Sequence, residues 1–150
     1  MPVTTSKLPT PDLAKLNEIR PALHPNCIVC SPSNPAGLKM QFDIEEGNLV
    51  AEFSCPQKFE GYQNRLQGGV ISSLMDGIFA NYMFACGIAA VTAELSTRFR
   101  HPVKTGIPAK LSANLRKESH GVYFLEGKLY QEGQLRSTAS AKFIEMPADC

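Results

Sequence analysis

The stretch RLQGGVISSLMDGIF, residues 65–79, places a glycine pair ahead of an apolar run that contains a single carboxylate, Asp76. Apolar residues recur in it at three- and four-residue spacing, which predicts an amphipathic helix that begins near Gly68. The pattern continues to about Cys86, and Gly87 follows at the position where a glycine commonly ends a helix. A carboxylate inside an apolar run costs free energy unless it is used, so the helix raises the question of what Asp76 does.

The position of Asp76 around the helix separates it from the apolar side chains. At 100° per residue those side chains form one broad stripe, and Asp76 lies off it on a side that carries small residues. Small residues let another surface approach the helix, so Asp76 is expected to face a partner surface rather than its own core. A merely solvated aspartate is the alternative. The stripe consists of Ile71, Leu74, Met75, Ile78, Phe79, Tyr82 and Cys86, and the small residues are Ser73, Gly77 and Ala80.

The segments around this helix predict an antiparallel sheet. Four segments after the helix alternate between apolar and polar residues with period two, and short breaks that suit hairpins separate them. Two further strands precede the helix and are joined through residues 45–47. In the first strand after the helix, alternation puts Thr92 on the face opposite Leu95 and Phe99. The strands are expected at 37–44, 48–55, 90–103, 109–116, 122–131 and 134–146.

A single apolar helix is most simply buried inside the curve of one such sheet. The expected fold class is therefore α+β, with an antiparallel sheet of five to six strands wrapped around one long central helix. A short N-terminal helix is also expected, with Thr10 as its N-cap, Pro11 at its first position and Pro21 at its end. Residues 1–9 are predicted to be disordered, and residues 10–150 to form a single domain.

The composition argues against nucleic acid and membranes as partners. The 15 basic and 14 acidic residues give a formal net charge of +1, which provides no attraction for a polyanion. No apolar run approaches the ~20 residues that span a bilayer. The N-terminus lacks the apolar core of a signal peptide, so the cytoplasm is the expected location.

The cysteines do not suggest a disulfide framework, because their number is odd and no signal peptide precedes them. Cys27 and Cys30 form a C-x-x-C pair, but a structural zinc site needs four ligands and the chain has no second pair. His24, Cys55 or Cys86 can join the pair only if folding brings them close. No bound metal is therefore expected, and buried or strand-edge thiols are the favoured interpretation. The five cysteines are Cys27, Cys30, Cys55, Cys86 and Cys150.

Three segments resemble motifs of one known family. The run QGGVISSLMDGIF resembles the signature of hotdog-fold acyl-CoA thioesterases of the phenylacetate-thioesterase-like branch, which reads His-Gly-Gly, five or six mostly apolar residues, then Leu-x-Asp. AVTAELSTRFRHPVKTG is similar to the family's central strand, and CIVCSPSNPAGLKMQF to its opening segment. The similarity covers roughly residues 27–144. It implies a hotdog fold, as in 4-hydroxybenzoyl-CoA thioesterases, and hydrolysis of an acyl- or aryl-CoA thioester to the free acid and CoA.

The same resemblance implies roles for individual residues. Asp76 matches the acidic residue that acts as general base or nucleophile, and Gly68 matches the glycine whose backbone N–H polarises the thioester carbonyl. Thr92 lies where related enzymes hold the attacking water. Gln67 stands in place of the family's His; it can still donate a hydrogen bond but cannot ionise. Gly61 stands where the family often has Asn or Gln.

Residues around the glycine pair are expected to bind the substrate, namely Gly69, Asn64 and Tyr62, with Gln63 and Phe59 as further candidates. Basic residues on the polar strand faces could meet the phosphates of CoA, because the guanidinium fork of arginine suits phosphate. A solvated strand face explains the same pattern. The basic candidates are Arg98 and Arg100, then His101, Lys104, Arg116 and Lys117. No cofactor is expected beyond the CoA of the substrate itself.

Helix geometry predicts an assembly. Gly68 and Asp76 are eight residues apart, which is about 12 Å along a helix axis. Catalytic contacts span ~3 Å, so one thioester carbonyl cannot meet both groups of the same helix. If both act on one thioester, they come from two protomers of a homodimer or of a dimer of dimers. Two rival functions stay open: a non-catalytic protein that binds acyl-CoA, and a hotdog dehydratase, for which Gln67 removes the expected His.

Overall fold

The computed structural model describes residues 7–147, and within them the chain forms two α-helices and six β-strands. All the predicted helices and strands are present. Of the stretch predicted to be disordered, residues 1–6 lie outside the described residues. The helices are α1 (Leu13–Leu23) and α2 (Gly68–Ala85); the strands are β1 (Gln41–Glu45), β2 (Asn48–Phe53), β3 (Ala90–Phe99), β4 (Ala109–Ser119), β5 (Val122–Gln131) and β6 (Gln134–Glu145).

The six strands form one antiparallel sheet in the order β1-β2-β4-β5-β6-β3, and α2 packs across one face of it. We call this face the inner face and the opposite one the outer face. Strand residues of the inner face, among them Leu111, Leu129 and Phe143, are fully buried. Gly127 lies where the helix approaches β5, since a Cβ there would be 2.9 Å from the ring of Phe79. A long helix enclosed by a single antiparallel sheet is the hotdog fold that the sequence predicts.

The predicted apolar stripe of α2 is buried, and residues 77–85 are buried all round the helix. Gly87 follows the end of α2 with a φ of +78°. Its N–H donates to the Phe84 carbonyl at 2.9 Å, and the Ile88 N–H donates to the Met83 carbonyl at 2.9 Å. These paired bonds form a Schellman motif, so the predicted stop at Gly87 is confirmed. Within the described chain, no helix combines the length and the apolar character that a membrane crossing requires.

One of the small residues of α2 is covered by the chain itself and not by a partner. A Cβ at Gly77 would lie 2.3 Å from Cγ1 of Val29, so the segment before β1 packs directly on this glycine. Asp76, the next residue along the helix, is half-buried. Another surface therefore does approach α2 closely on the side that carries the small residues, as predicted. At Gly77, however, that surface belongs to the same chain.

The bounds of α1 differ from the prediction. Asp12 is the N-cap, and its carboxylate accepts a backbone N–H of the first turn at 2.8 Å. Thr10 and Pro11 therefore precede the helix, because the aspartate provides the stronger local acceptor. Pro21 lies inside α1, which continues to Leu23. A proline there removes one backbone donor while the following turn still closes, so it does not end the helix.

The first strand begins at Gln41 and not at residue 37. The preceding residues bond instead to the segment that carries the C-x-x-C pair: the Leu38 N–H donates to the Ile28 carbonyl at 2.6 Å, and the Met40 N–H to the Val29 carbonyl at 3.2 Å. These bonds fold residues 37–40 back against residues 28–29. The alternation of apolar residues does not reveal this competing partner.

A β-bulge in β3 changes the side-chain order that alternation predicts. Thr92 lies opposite Phe143, and Ala93 is one extra residue before the register resumes at Glu94. The extra residue brings Thr92 to the inner face, the same face as Leu95. The prediction that Thr92 and Leu95 lie on opposite faces was therefore wrong.

β3 lies at one edge of the sheet and pairs only with β6 among the described strands. Most of its ten residues are exposed, including the apolar side chains of Val91 (37%) and Phe99 (54%). A long edge strand with exposed apolar side chains is a template for pairing with another chain.

Candidate functional site

Asp76 and Thr92, which the sequence resemblance puts in one site, are in direct contact. The Thr92 hydroxyl donates to Oδ1 of Asp76 at 2.5 Å. Asp76 is half-buried on α2, and Thr92 is exposed on β3. The bulge at Ala93 makes this contact possible, because it turns Thr92 towards the helix. One carboxylate oxygen is held in place, and the other is available as a hydrogen-bond acceptor.

A second contact fixes the helix and the strand in the same region. The Ser72 hydroxyl donates to Oγ1 of Thr97 at 3.1 Å, one helical turn before Asp76. Two hydroxyl contacts between α2 and β3 thus set the orientation of the carboxylate relative to the strand. The sequence analysis did not identify Ser72 and Thr97. Strict alternation places Thr97 opposite Thr92, and only the bulge brings both to the inner face.

The N-terminus of α2 offers backbone donors. Gln67 is the N-cap, and its Oε1 accepts the Val70 N–H at 3.0 Å. The N–H groups of Gly68 and Gly69 have no acceptor among residues 7–147. Free N–H groups at the positive end of a helix dipole favour an oxyanion or a polarised carbonyl. A Cβ at Gly68 would lie 3.6 Å from the ring of Phe99, so this aromatic side chain, which the sequence did not single out, flanks the donors.

Gly61 and Gln67, the two residues that depart from the family signature, are in contact with each other. A Cβ at Gly61 would be 3.1 Å from Cγ of Gln67, and a Cβ at Gly69 would be 2.8 Å from its Oε1. The glycine at position 61 therefore leaves room for the longer glutamine. Gln67 brings an amide close to the position from which other family members often supply one. Its Nε2 remains a donor while its Oε1 caps the helix.

The loop before α2 carries the other expected substrate contacts. Tyr62 is 85% exposed, and Gln63 and Asn64 are exposed beside it. Asn64 has a φ of +62°, and its carbonyl accepts a backbone N–H from a neighbouring loop at 3.1 Å, so its backbone shapes this loop. Phe59 packs against Phe53 with ring centroids 6.0 Å apart, which anchors the loop to β2.

The basic residues expected to meet phosphates are spread over several elements. Arg98 lies opposite Thr138 on the outer face, and Arg100 is exposed just beyond the end of β3. These two arginines stay predictions as phosphate ligands. Three of the other candidates have local partners. Lys104 pairs with Glu132 at 3.1 Å and Arg116 with Glu126 at 3.6 Å, while Lys117 lies 4.6 Å from the ring centroid of Phe124. His101 is exposed.

His24, one of the three residues that folding could add to the C-x-x-C pair, lies beside that pair. Its Nδ1 is 3.5 Å from Sγ of Cys30. Burial lowers the pKa of His24, and the negative charge of Asp76 opposes that shift. Cys55 and Cys86, the other residues considered as partners of the pair, are outside this cluster. Burial raises the pKa of each of these two thiols to about 11.

The thioesterase superfamily model matches residues 63–137 of this chain. That range covers half of the sequence and contains α2, β3, β4 and β5, and therefore both the Asp76–Thr92 contact and the glycine pair. The chain belongs to the thioesterase superfamily. A search of curated proteins found no match.

Solved structures agree with this assignment in fold. A thioesterase superfamily protein aligns with a TM-score of 0.76 over 96% of this chain and 72% of its own, at 20% identity. The Escherichia coli PaaI protein, from the phenylacetic acid degradation operon, aligns with a TM-score of 0.74 over 89% of this chain and 95% of its own, at 18% identity. A hypothetical thioesterase from Streptococcus pneumoniae, solved with coenzyme A, aligns with a TM-score of 0.67 over 71% and 88%, at 14% identity.

Proposed function

We propose that this chain is an acyl-CoA thioesterase that hydrolyses an acyl- or aryl-CoA thioester to the free acid and CoA. The observation that carries the proposal is the 2.5 Å contact between the Thr92 hydroxyl and the half-buried Asp76 carboxylate. A carboxylate held in this way is placed to take a proton from water or to attack a thioester itself.

In the hydrolytic route, Asp76 removes a proton from a water molecule whose position Thr92 helps to fix. The water oxygen bonds to the thioester carbon, and the carbonyl oxygen becomes an oxyanion. The C–S bond then breaks, and the CoA thiolate takes up the proton that Asp76 removed from water, which restores the carboxylate as the free acid leaves. The oxyanion needs hydrogen-bond donors, and the free N–H groups of Gly68 and Gly69 meet that need.

The donors and the carboxylate that act on one thioester come from two protomers in this proposal. α2 is an unbroken helix, so Gly68 and Asp76 of one chain lie about 12 Å apart along its axis. The exposed edge of β3 provides a place where a second copy of the chain continues the sheet. Each thioester then meets Asp76 of one protomer and the N-terminus of α2 from its partner.

One relative supports a CoA ester as the substrate. The Streptococcus pneumoniae protein was solved with coenzyme A, and it was also crystallised with an aspartate or a threonine replaced by alanine. Those two residues are sixteen positions apart in that chain. Asp76 and Thr92 have the same separation in this one. The equal spacing supports a shared pair of site residues.

Replacing Asp76 by asparagine tests the proposal. Asp76→Asn keeps the side-chain volume and one acceptor oxygen, but the amide cannot take a proton. We expect hydrolysis to fall by roughly 10²- to 10⁴-fold. The measurement is thiol release from a panel of acyl- and aryl-CoA esters. The Tm should stay close to the wild-type value, because a substitution outside the core changes stability by only about 0.5 kcal/mol.

Asp43→Asn is the matched control, because Asp43 is exposed on β1 at the edge of the sheet opposite β3. This variant should keep the wild-type rate. If Asp76→Asn retains more than about a tenth of the wild-type rate, the loss is too small for a positioned base and Asp76 has no part in the mechanism.

Gln67 favours a second candidate function, which is binding of acyl-CoA without turnover. Its side chain cannot ionise, and its Oε1 is already engaged in capping α2. The two candidates separate in one pair of measurements on the wild-type protein. Calorimetric binding of an acyl-CoA with no release of thiol supports the binding protein, and thiol release supports the thioesterase.

A further inference from the structure

His24, Cys27 and Cys30 form a cluster of potential metal ligands that the proposed hydrolysis does not use. The three ligand atoms all lie within 4.8 Å of one another. Nδ1 of His24 and Sγ of Cys30 are 3.5 Å apart. In a tetrahedral site with Zn–N and Zn–S bonds of about 2.0 and 2.3 Å, a nitrogen and a sulfur ligand are separated by about 3.5 Å. The observed spacing therefore already suits a zinc ion.

The surroundings of the cluster suit a bound cation. Cys30 is 2% exposed, and a thiolate buried there as a metal ligand needs a positive charge beside it. The Val29 N–H also donates to Sγ of Cys27 at 3.4 Å. The sulfur atom of Cys27 thus has a backbone N–H donor directed at it.

Asn81 provides an observation that is independent of the ligand spacing. Its side chain is fully buried, and its Nδ2 donates to the Gly77 carbonyl at 2.8 Å. Its Oδ1 has no hydrogen-bond partner in the described part of the chain. Asn81 is a neighbour of Cys30. A buried acceptor without a donor is costly, and a water molecule bound to a metal ion in this cluster would be such a donor.

We propose that His24, Cys27 and Cys30 bind one zinc ion, with a water molecule in the fourth position, and that this ion fixes the C-x-x-C segment against α2. Two thiolates balance the charge of Zn²⁺, and a neutral imidazole adds none. Thiolate and imidazole ligands select zinc over the hard cations Mg²⁺ and Ca²⁺. The sequence predicts no metal because it contains one C-x-x-C pair, whereas folding supplies the third ligand.

The site would hold a segment that lies directly behind the proposed catalytic carboxylate. Val29, between the two cysteines, packs on Gly77, the neighbour of Asp76. The ion has no role in the proposed hydrolysis. The proposal of a metal site is therefore independent of the proposal of thioester hydrolysis, and its test does not use enzymatic activity.

The test uses the full-length chain without an affinity tag, with Co²⁺ as the probe and Zn²⁺ as the competitor. Reduced apoprotein, prepared with a chelator, should gain a thiolate-to-cobalt charge-transfer band that saturates at one ion per chain. Addition of Zn²⁺ should remove the band. Protein purified without a chelator should contain zinc by elemental analysis.

Variants of the ligands locate the bound ion. Cys27→Ser and Cys30→Ser should lose most of the band, and His24→Asn should weaken Co²⁺ binding by at least about tenfold. Cys55→Ser and Cys86→Ser are the matched controls, because both cysteines are buried outside the cluster. Both controls should keep the wild-type band.

Reduced wild-type protein that shows no charge-transfer band with Co²⁺ would overturn the proposal, and this result does not depend on the folding of any variant. A band of unchanged intensity in both Cys27→Ser and Cys30→Ser would overturn it as well. A band lost equally in the two control variants would place the ion elsewhere and would also contradict the assignment.

Discussion

The side chain of Gln67 fills the space that Gly61 leaves open, so two departures from the family signature form one local change. The glutamine caps α2 through its Oε1, a bond to the Val70 N–H, and keeps an amide donor beside the glycine pair. In the proposed hydrolysis, this end of the helix therefore contributes neutral N–H donors and no ionisable side chain. Sequence alone shows both departures, but their contact depends on how the loop before α2 folds.

Gly68→Pro tests the backbone donor at the residue scale. A proline lacks the N–H yet is favoured at the first position of a helix, and Gln67 already has the extended backbone (φ −66°, ψ 137°) that a following proline requires. We expect kcat for thioester hydrolysis to fall roughly 10²- to 10³-fold, as for the loss of one oxyanion donor. The Tm should be unchanged or slightly higher.

Gly68→Ala is the matched control, because alanine keeps the N–H and its Cβ would make an ordinary 3.6 Å contact with Phe99. Its rate should stay near that of the wild type. Equal losses in the proline and alanine variants would show that the shape of the helix start matters and that the N–H does not.

At the scale of elements, α2 and β3 show which features periodicity can predict. The bounds of α2 follow from local signals, namely its apolar stripe and the glycines at both ends, and the structure confirms them. The sheet face on which Thr92 lies was predicted wrongly, because one bulged residue reverses the alternation of side chains along β3. That bulge depends on pairing with β6, which is distant in sequence. The family resemblance therefore placed Asp76 and Thr92 in one site, whereas the strand pattern did not, and neither predicted their direct contact.

Gly77→Ala tests the packing of the C-x-x-C segment on α2. The new Cβ would be 2.3 Å from Cγ1 of Val29, so either the segment or the helix must move. Overpacking of this kind costs about 1–3 kcal/mol, which outweighs the ~1 kcal/mol gain in helix propensity. We expect a Tm lower by several degrees, at about 2–4 °C per kcal/mol for a chain of this size. An unchanged or higher Tm in a thermal melt would show that Val29 does not pack there.

For the whole molecule, the exposed edge of β3 and the length of α2 point to the same arrangement. The edge carries the exposed apolar side chains of Val91 and Phe99, and Phe99 also flanks the N-terminus of α2. Symmetric pairing of two such edges would produce two equal sites, each with groups from both chains. The separation of Gly68 and Asp76 follows from helix length and is visible in the sequence. The position of β3 at the edge is set by strand order, which depends on contacts between distant segments.

The most direct test of the composite site is the thiol-release rate of mixed dimers that contain one Asp76→Asn chain and one Gly68→Pro chain, each variant being inactive by itself. In such a dimer one site carries both defects, and the other combines an intact Asp76 with an intact Gly68 N–H. We predict about half of the wild-type activity per mixed dimer, because one of two symmetric sites is restored. Mixed dimers that are as inactive as the two parent variants would contradict the composite site.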